Sequence, residues 1–194
     1  MPQEIEIEFK QLLTRAAYDR LLEQFTGVQP FHQVNHYFET DDMALRRKHA
    51  ALRIREKGST WELTLKQPHE EGLLETNQPI GENSFEAAKI KGILPEGETT
   101  AQLRHFLGGM PALVYLGSLE TTRREMEISE GMLVLDHSFY AGTEDYELEF
   151  ECRSAEKGKA YFQSLLADLE LEWNEPPNKI QRFYQAVYEN KENN

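Results

Sequence analysis

The chain opens on a segment whose side chains change character at every step, Glu4-Ile5-Glu6-Ile7-Glu8-Phe9-Lys10. A period of two is that of a β-strand, in which successive side chains leave opposite faces. Ile5, Ile7 and Phe9 then share one face, while Glu4, Glu6, Glu8 and Lys10 share the other. Such a strand belongs to an antiparallel sheet with one packed face.

The same alternation recurs along the chain. Residues 34–40 read as a strand, and residues 51–56 and 61–66 as a hairpin turning through Lys57-Gly58-Ser59. Residues 116–129, 132–140 and 146–152 read as a meander, punctuated by Glu130-Gly131 and by Ala141-Gly142-Thr143-Glu144. Between these runs lie helical patterns. Ala17, Leu21, Leu22 and Phe25 recur at helical spacing behind Thr14 as N-cap, and Ser154 caps a helix running to about Leu171. Two short helices are expected within residues 84–107, separated by Leu94-Pro95-Glu96-Gly97. After the break at Pro176-Pro177 a last helix spans 179–188, and residues 189–194 form a polar, fraying tail. There is no repeat and no linker, so residues 1–188 read as a single domain.

Charge on the polar faces is sorted by sign. Arg53, Arg55 and Lys57 point together away from Leu52 and Ile54; Glu62, Thr64 and Lys66 oppose Trp61, Leu63 and Leu65. In the last strand Glu147, Glu149 and Glu151 share the face opposite Leu148 and Phe150. Carboxylates therefore concentrate in the first and last strands and cations in the middle hairpin and at Arg123, whereas a solvated face ordinarily mixes its signs. A sheet curled into a barrel with these faces inward, and with helices over its apolar outside, accounts for the sorting.

An interior of both signs has a chemical use. Mg²⁺ and Mn²⁺ take hard oxygen ligands and are commonly held by a few carboxylates together with substrate phosphates and water. Glu6, Glu8, Glu147 and Glu149 are candidate ligands, because inward carboxylates repel one another unless a cation joins them. Lys10, Arg53, Arg55, Lys66 and Arg123 are candidate clamps on phosphate oxygens, arginine through its fork and lysine as a point charge. Register leaves open whether Arg123 or Arg124 faces inward, since a slip of one residue exchanges faces, and Glu151 competes with Glu147 because both share one face with Glu149. Glu75 reads equally as an inward partner for the cations or as a loop glutamate.

Composition sets the outer limits. With 34 Asp+Glu against 21 Lys+Arg the formal net charge is −13, which excludes a nucleic-acid or anionic-membrane surface as the main partner. Any polyanion must enter a local site. The single Cys152 forms no intramolecular disulfide and lacks a neighbouring histidine, so it reads as packed rather than nucleophilic. No apolar run reaches the ~20 residues of a membrane span and the start lacks signal-peptide character, giving a soluble cytoplasmic expectation.

Glu6-Ile7-Glu8-Phe9-Lys10 is a Glu-x-Glu-x-Lys motif, followed in order by Leu52-Arg53-Ile54-Arg55, Leu63-Thr64-Leu65-Lys66, Arg123, Leu135-Asp136 and Glu147-Leu148-Glu149. With this order, spanning nearly the whole chain, the sequence resembles the CYTH superfamily, the triphosphate tunnel metalloenzymes. That superfamily is named for a class IV adenylyl cyclase and thiamine triphosphatase, and includes inorganic and fungal RNA triphosphatases. The chain looks most like uncharacterised CYTH proteins from Firmicutes. The resemblance implies an α+β fold, an eight-stranded antiparallel β-barrel or tunnel with helices packed outside. It also implies a metal, Mg²⁺ or Mn²⁺, near Glu6, Glu8, Glu147, Glu149 and the additional carboxylate Asp136. Phosphate is then bound by Lys10, Arg53, Arg55, Lys66, Arg123 and Lys179.

The function so implied is metal-dependent hydrolysis of a linear triphosphate, whether tripolyphosphate, thiamine triphosphate or a nucleoside triphosphate, by a monomer or homodimer. Catalysis falls to Glu6, Glu8, Lys10, Glu147 and Glu149. The alternatives are a class IV-type adenylyl cyclase and a non-catalytic binder of polyphosphate or a nucleotide.

Overall fold

In a computed structural model that describes the backbone of residues 3–192 and the side chains of residues 3–188, eight strands close into a barrel. They are β1 (Gln3–Leu13), β2 (Phe31–Thr40), β3 (Ala51–Lys57), β4 (Thr60–His69), β5 (Gly72–Ile80), β6 (Leu113–Ile128), β7 (Gly131–Tyr140) and β8 (Thr143–Cys152). The order around the barrel is β1-β5-β4-β3-β2-β6-β7-β8, which leaves no edge strand to template pairing with another chain. The expected eight-stranded antiparallel barrel is the observed one. The chain divides into two units, residues 1–5 with 33–119 and residues 6–32 with 120–194.

In the first unit the register sets Leu52 between Phe38 and Leu65, and Ile54 between His36 and Leu63. Leu52, Ile54, Leu63 and Leu65 are fully buried, packed with Phe85 and Ala88 of α3 (Glu82–Lys91) and with Leu103 of α4 (Glu98–Leu107). Each such side chain contributes roughly 1.5–3 kcal/mol. The apolar face thus lies outside beneath helices, and Arg53, Arg55, Thr64 and Lys66 on the alternate positions face the barrel interior. α3 ends at Gly92, whose φ of 66° and whose missing Cβ, which would lie 2.4 Å from the Leu113 carbonyl oxygen, together require glycine.

The second unit repeats the arrangement. Phe150 lies between Phe9 and Leu133, and Leu148 between Gln11 and Leu135. These side chains pack with Ala17, Tyr18 and Leu21 of α1 (Arg15–Leu22) and with Phe162 and Leu166 of α5 (Ala155–Asp168). Both expected caps form: Thr14 Oγ1 accepts from Ala17 N at 3.2 Å and Ser154 Oγ from Lys157 N at 3.4 Å. α1 and α5 end earlier than the apolar spacing indicates, the latter because Glu170 turns left-handed at φ 56°. Two helices remain, the short α2 (Ala44–Arg47) and α6 (Lys179–Glu192). α6 continues through residues 189–192, where a fraying tail was expected; Asn193 and Asn194 lie outside the described residues. No helix among the described residues is long and apolar enough to cross a membrane.

Two elements had escaped the periodicity, α2 and β5. β5 carries Thr76, Asn77 and Gln78 before Pro79, so neither of its faces is apolar. Its outward Thr76 is fully buried, and the Thr99 hydroxyl of α4 donates to the Thr76 carbonyl at 3.0 Å. Hydrogen bonding takes the place of the hydrophobic stripe.

His36, on the outer face of β2, is ringed by Trp61, Phe85 and Tyr115, and burial beside the Lys89 ammonium pushes its imidazole down to about 4. The Glu56 carboxylate, 3.8 Å away, does not offset this. The folded protein holds His36 neutral where the unfolded chain protonates it. Its contribution is present above pH ~6.5 and is lost as pH falls toward ~4. Relative to a His36→Phe variant, wild-type unfolding free energy is expected to fall by about 2 kcal/mol over that window, a value discounted for solvent reaching the ring. Urea melts at a series of pH values measure this; parallel pH curves for the two proteins would contradict it.

Candidate active site

In the second unit the inward positions of β1, β6, β7 and β8 converge on a buried charge network. Asp136 pairs in register with both Arg123 and Glu147, and Lys10 with Glu149. Arg123 forks onto Asp136, Nε donating to Oδ1 at 2.8 Å and Nη2 to Oδ2 at 2.7 Å, and Nη2 also donates to Glu149 Oε2 at 2.8 Å. Lys179, the first residue of α6, donates to Glu149 Oε1 at 2.6 Å, lies 2.9 Å from Glu147 Oε1 and contacts Asp136 Oδ2. Lys10 pairs with Glu8. Asp136, Glu147 and Glu149 are 0%, 1% and 5% exposed, and each offers an oxygen within 4.8 Å of the others.

The electrostatics follow from this packing. Burial pushes Glu147 up to about 7 despite the opposing Lys179 ammonium, and the neighbouring Glu149 adds to the rise. Burial acts on Glu149 in the same sense, but Lys179 and Arg123 overcome it and hold that carboxyl well below the usual range. Desolvation would lower Lys179, yet Asp136, Glu147 and Glu149 raise it well above an ordinary lysine. Lys10 is likewise raised against its burial, by Glu8 and Glu149. One site therefore combines a carboxylate kept ionised with one poised near neutrality.

The register distinguishes the two arginines, and burial distinguishes the glutamates. Arg123 is the inward arginine; Arg124 lies on the opposite face, its Nη1 donating to Tyr18 Oη at 3.5 Å. Glu147, Glu149 and Glu151 all face inward, with Glu147 and Glu149 buried and Glu151 partly buried. Glu6 and Glu8 share the inward parity of Lys10 and are partly buried, but they are not among the carboxylates that cluster within 4.8 Å. Arg182 had gone unread. Its Nη1 lies 2.7 Å from Glu147 Oε2 and donates to the Pro177 carbonyl at 2.6 Å. Its Nε donates to Asp145 Oδ2 at 3.0 Å, and the Tyr140 hydroxyl donates to that same oxygen at 2.6 Å. The available signal was its position three residues after Lys179, on the same helical face.

The first unit gathers the other predicted cations. Lys66 pairs with Glu75 across β4 and β5, and Arg53 Nη2 lies 4.0 Å from the same carboxylate. Glu75 is 5% exposed, an inward partner and not a loop residue. Arg55 Nε donates to Asn35 Oδ1 at 3.1 Å, and the Thr64 hydroxyl donates to Asn77 Oδ1 at 2.8 Å. Cys152 has its thiol pushed up by burial, as befits a packed cysteine.

The inward faces of the closed antiparallel barrel thus carry arginines, lysines and glutamates sorted by strand. The CYTH domain model matches residues 4–184, and the chain belongs to the CYTH family. It is 45% identical over 187 residues to Bacillus subtilis (strain 168) YjbK, which is named provisionally as a triphosphatase, covering 95% of this chain and 97% of that protein. A Bacillus halodurans crystal structure, provisionally called an adenylate cyclase, superposes with a TM-score of 0.89 at 42% identity, covering 95% of this chain and all of that one. The Hippeastrum protein HpAC1 shares the fold at 22% identity and a TM-score of 0.78, over 93% of this chain and 96% of that one.

Proposed function

We propose that the protein is a divalent-metal-dependent triphosphatase that hydrolyses a linear triphosphate inside its charged barrel. The observation that carries the reading is the buried set Asp136, Glu147 and Glu149 with Arg123 and Lys179 at hydrogen-bond distance. The relative named for triphosphatase activity, matched over nearly the full length of both chains, supports it.

Three hard carboxylates that each offer an oxygen within 4.8 Å of the others fit Mg²⁺ or Mn²⁺. Asp136, Glu147 and Glu149 would hold the ion, with Glu6 and Glu8 as further inward carboxylates. Bound there, a divalent ion supplies charge neutralisation at the phosphoryl group being transferred. Lys10, Arg123 and Lys179 in the second unit, and Arg53, Arg55 and Lys66 in the first, would bind phosphoryl oxygens. Glu147 or Glu149, inward on β8, would orient the attacking water.

Incubation with tripolyphosphate, ATP and thiamine triphosphate in Mg²⁺ or Mn²⁺ tests the reading. A triphosphatase releases orthophosphate, a cyclase converts ATP to cyclic AMP and pyrophosphate, and a binder turns over nothing. Arg55→Gln deletes one charged contact, worth about 1.5–3 kcal/mol, and is expected to lower kcat/KM roughly 10- to 100-fold. Steady-state kinetics on the preferred triphosphate check this, and an unchanged kcat/KM would remove Arg55 from the substrate.

A further inference from the structure

Every oxygen of the three clustered carboxylates lies within ion-pair distance of a cation of the chain, although those of Glu147 accept no hydrogen bond. Arg123 takes both oxygens of Asp136 and Oε2 of Glu149. Arg182 takes Oε2 of Glu147. Lys179 takes the remaining oxygens, Glu147 Oε1 and Glu149 Oε1, and adds a contact to Asp136 Oδ2. Among the described residues its ammonium is the one group that touches all three carboxylates.

We infer that Lys179 is a resident counter-ion which a divalent cation must displace, so that metal loading and the position of the Lys179 side chain are mutually exclusive. The inference rests on the reading of this cluster as the metal site. A dication and an ammonium that both bonded these oxygens would lie within a few ångströms of each other, and their mutual repulsion opposes joint occupancy. A metal taking one oxygen from each carboxylate must then compete with the ammonium.

Lys179 is also the cation best built to leave. It is a point charge on a flexible stem, and its ion pairs run to the three carboxylates. Arg123 is held by a two-point fork on a strand. Arg182 is tied to Asp145 and to the Pro177 carbonyl, contacts that keep the start of α6 docked on β8 while Lys179 swings. An ammonium released from the carboxylates becomes available to a phosphoryl oxygen. The metal-free protein thus fills its own cation site, which favours loading when metal and a triphosphate arrive together.

The test is Mn²⁺ binding without substrate, read by titration calorimetry and by the loss of free-ion electron paramagnetic resonance signal, with no turnover involved. Lys179→Met is expected to bind Mn²⁺ at least about tenfold more tightly than wild type, and Lys179→Arg to stay near wild type. Should the methionine variant fail to fold, Lys179→Gln carries the same expectation. If both neutral variants bind as weakly as wild type or more weakly, while Glu147→Gln abolishes binding, the exchange is overturned and the metal site stands. If neither wild type nor any neutral variant binds Mn²⁺, the metal reading falls and the exchange with it.

Discussion

Glu149→Gln is expected to lower metal-dependent turnover of tripolyphosphate by at least about 10³-fold, at the upper end of the effect of deleting one preorganised electrostatic group. Glutamine keeps the shape of the side chain and removes its charge. The charge matters because Glu149 is held ionised against its burial by Lys179 and Arg123, which makes it the permanent anion of the cluster. Its loss weakens the hold on a divalent ion and leaves Arg123 and Lys179 without one of their partners. Glu71→Gln, in the exposed turn after β4, serves as the control and should leave the rate unchanged. Full activity of Glu149→Gln at saturating metal would remove the cluster from the chemistry.

The second large effect concerns stability. Arg123→Ala removes the fork on Asp136, which is 0% exposed and keeps only Lys179 on Oδ2, and strands one oxygen of Glu149. Breaking a buried ion pair by removing one partner costs about 3–5 kcal/mol, because the surviving charge is left desolvated. At about 2–4 °C per kcal/mol for a chain of this size, the Tm is expected to drop by roughly 6–20 °C. Arg124→Ala, one residue along and on the other face, removes a 3.5 Å contact to the Tyr18 hydroxyl and should change stability by less than about 1 kcal/mol. Thermal and urea melts of the two variants check the contrast. Equal losses would mean that the charge on the inner face is not buried as described.

The contrast between neighbouring arginines shows what the sequence could and could not reveal. Alternation identified the faces of β1, β3, β4 and β8, because a strand with one packed side must carry apolar residues at every second position. β5 stayed hidden because the hydroxyl of its outward, buried Thr76 accepts from Gln3 Nε2 at 3.2 Å, so burial there leaves no apolar signature. That omission left Glu75 undecided, although it is the partner of Lys66 and Arg53. Which of Arg123 and Arg124 faced inward depended on register, and parity becomes visible only when Arg123 is set against Asp136. Arg182 was missed for another reason. A helix advertises its apolar stripe, and a lone cation beside Lys179 looks like an ordinary solvated charge until α6 is docked over Asp145 and Glu147.

The central claim is that the buried carboxylates and the cations around them hydrolyse a triphosphate with the help of a divalent ion. The ³¹P spectrum of tripolyphosphate mixed with the protein tests it most directly, in Mg²⁺, in Mn²⁺ and in chelator. Orthophosphate and pyrophosphate resonances growing with time in either metal, and absent in chelator, are the result expected. Tripolyphosphate resonances that broaden or shift on binding yet persist undiminished in both metals would contradict the claim.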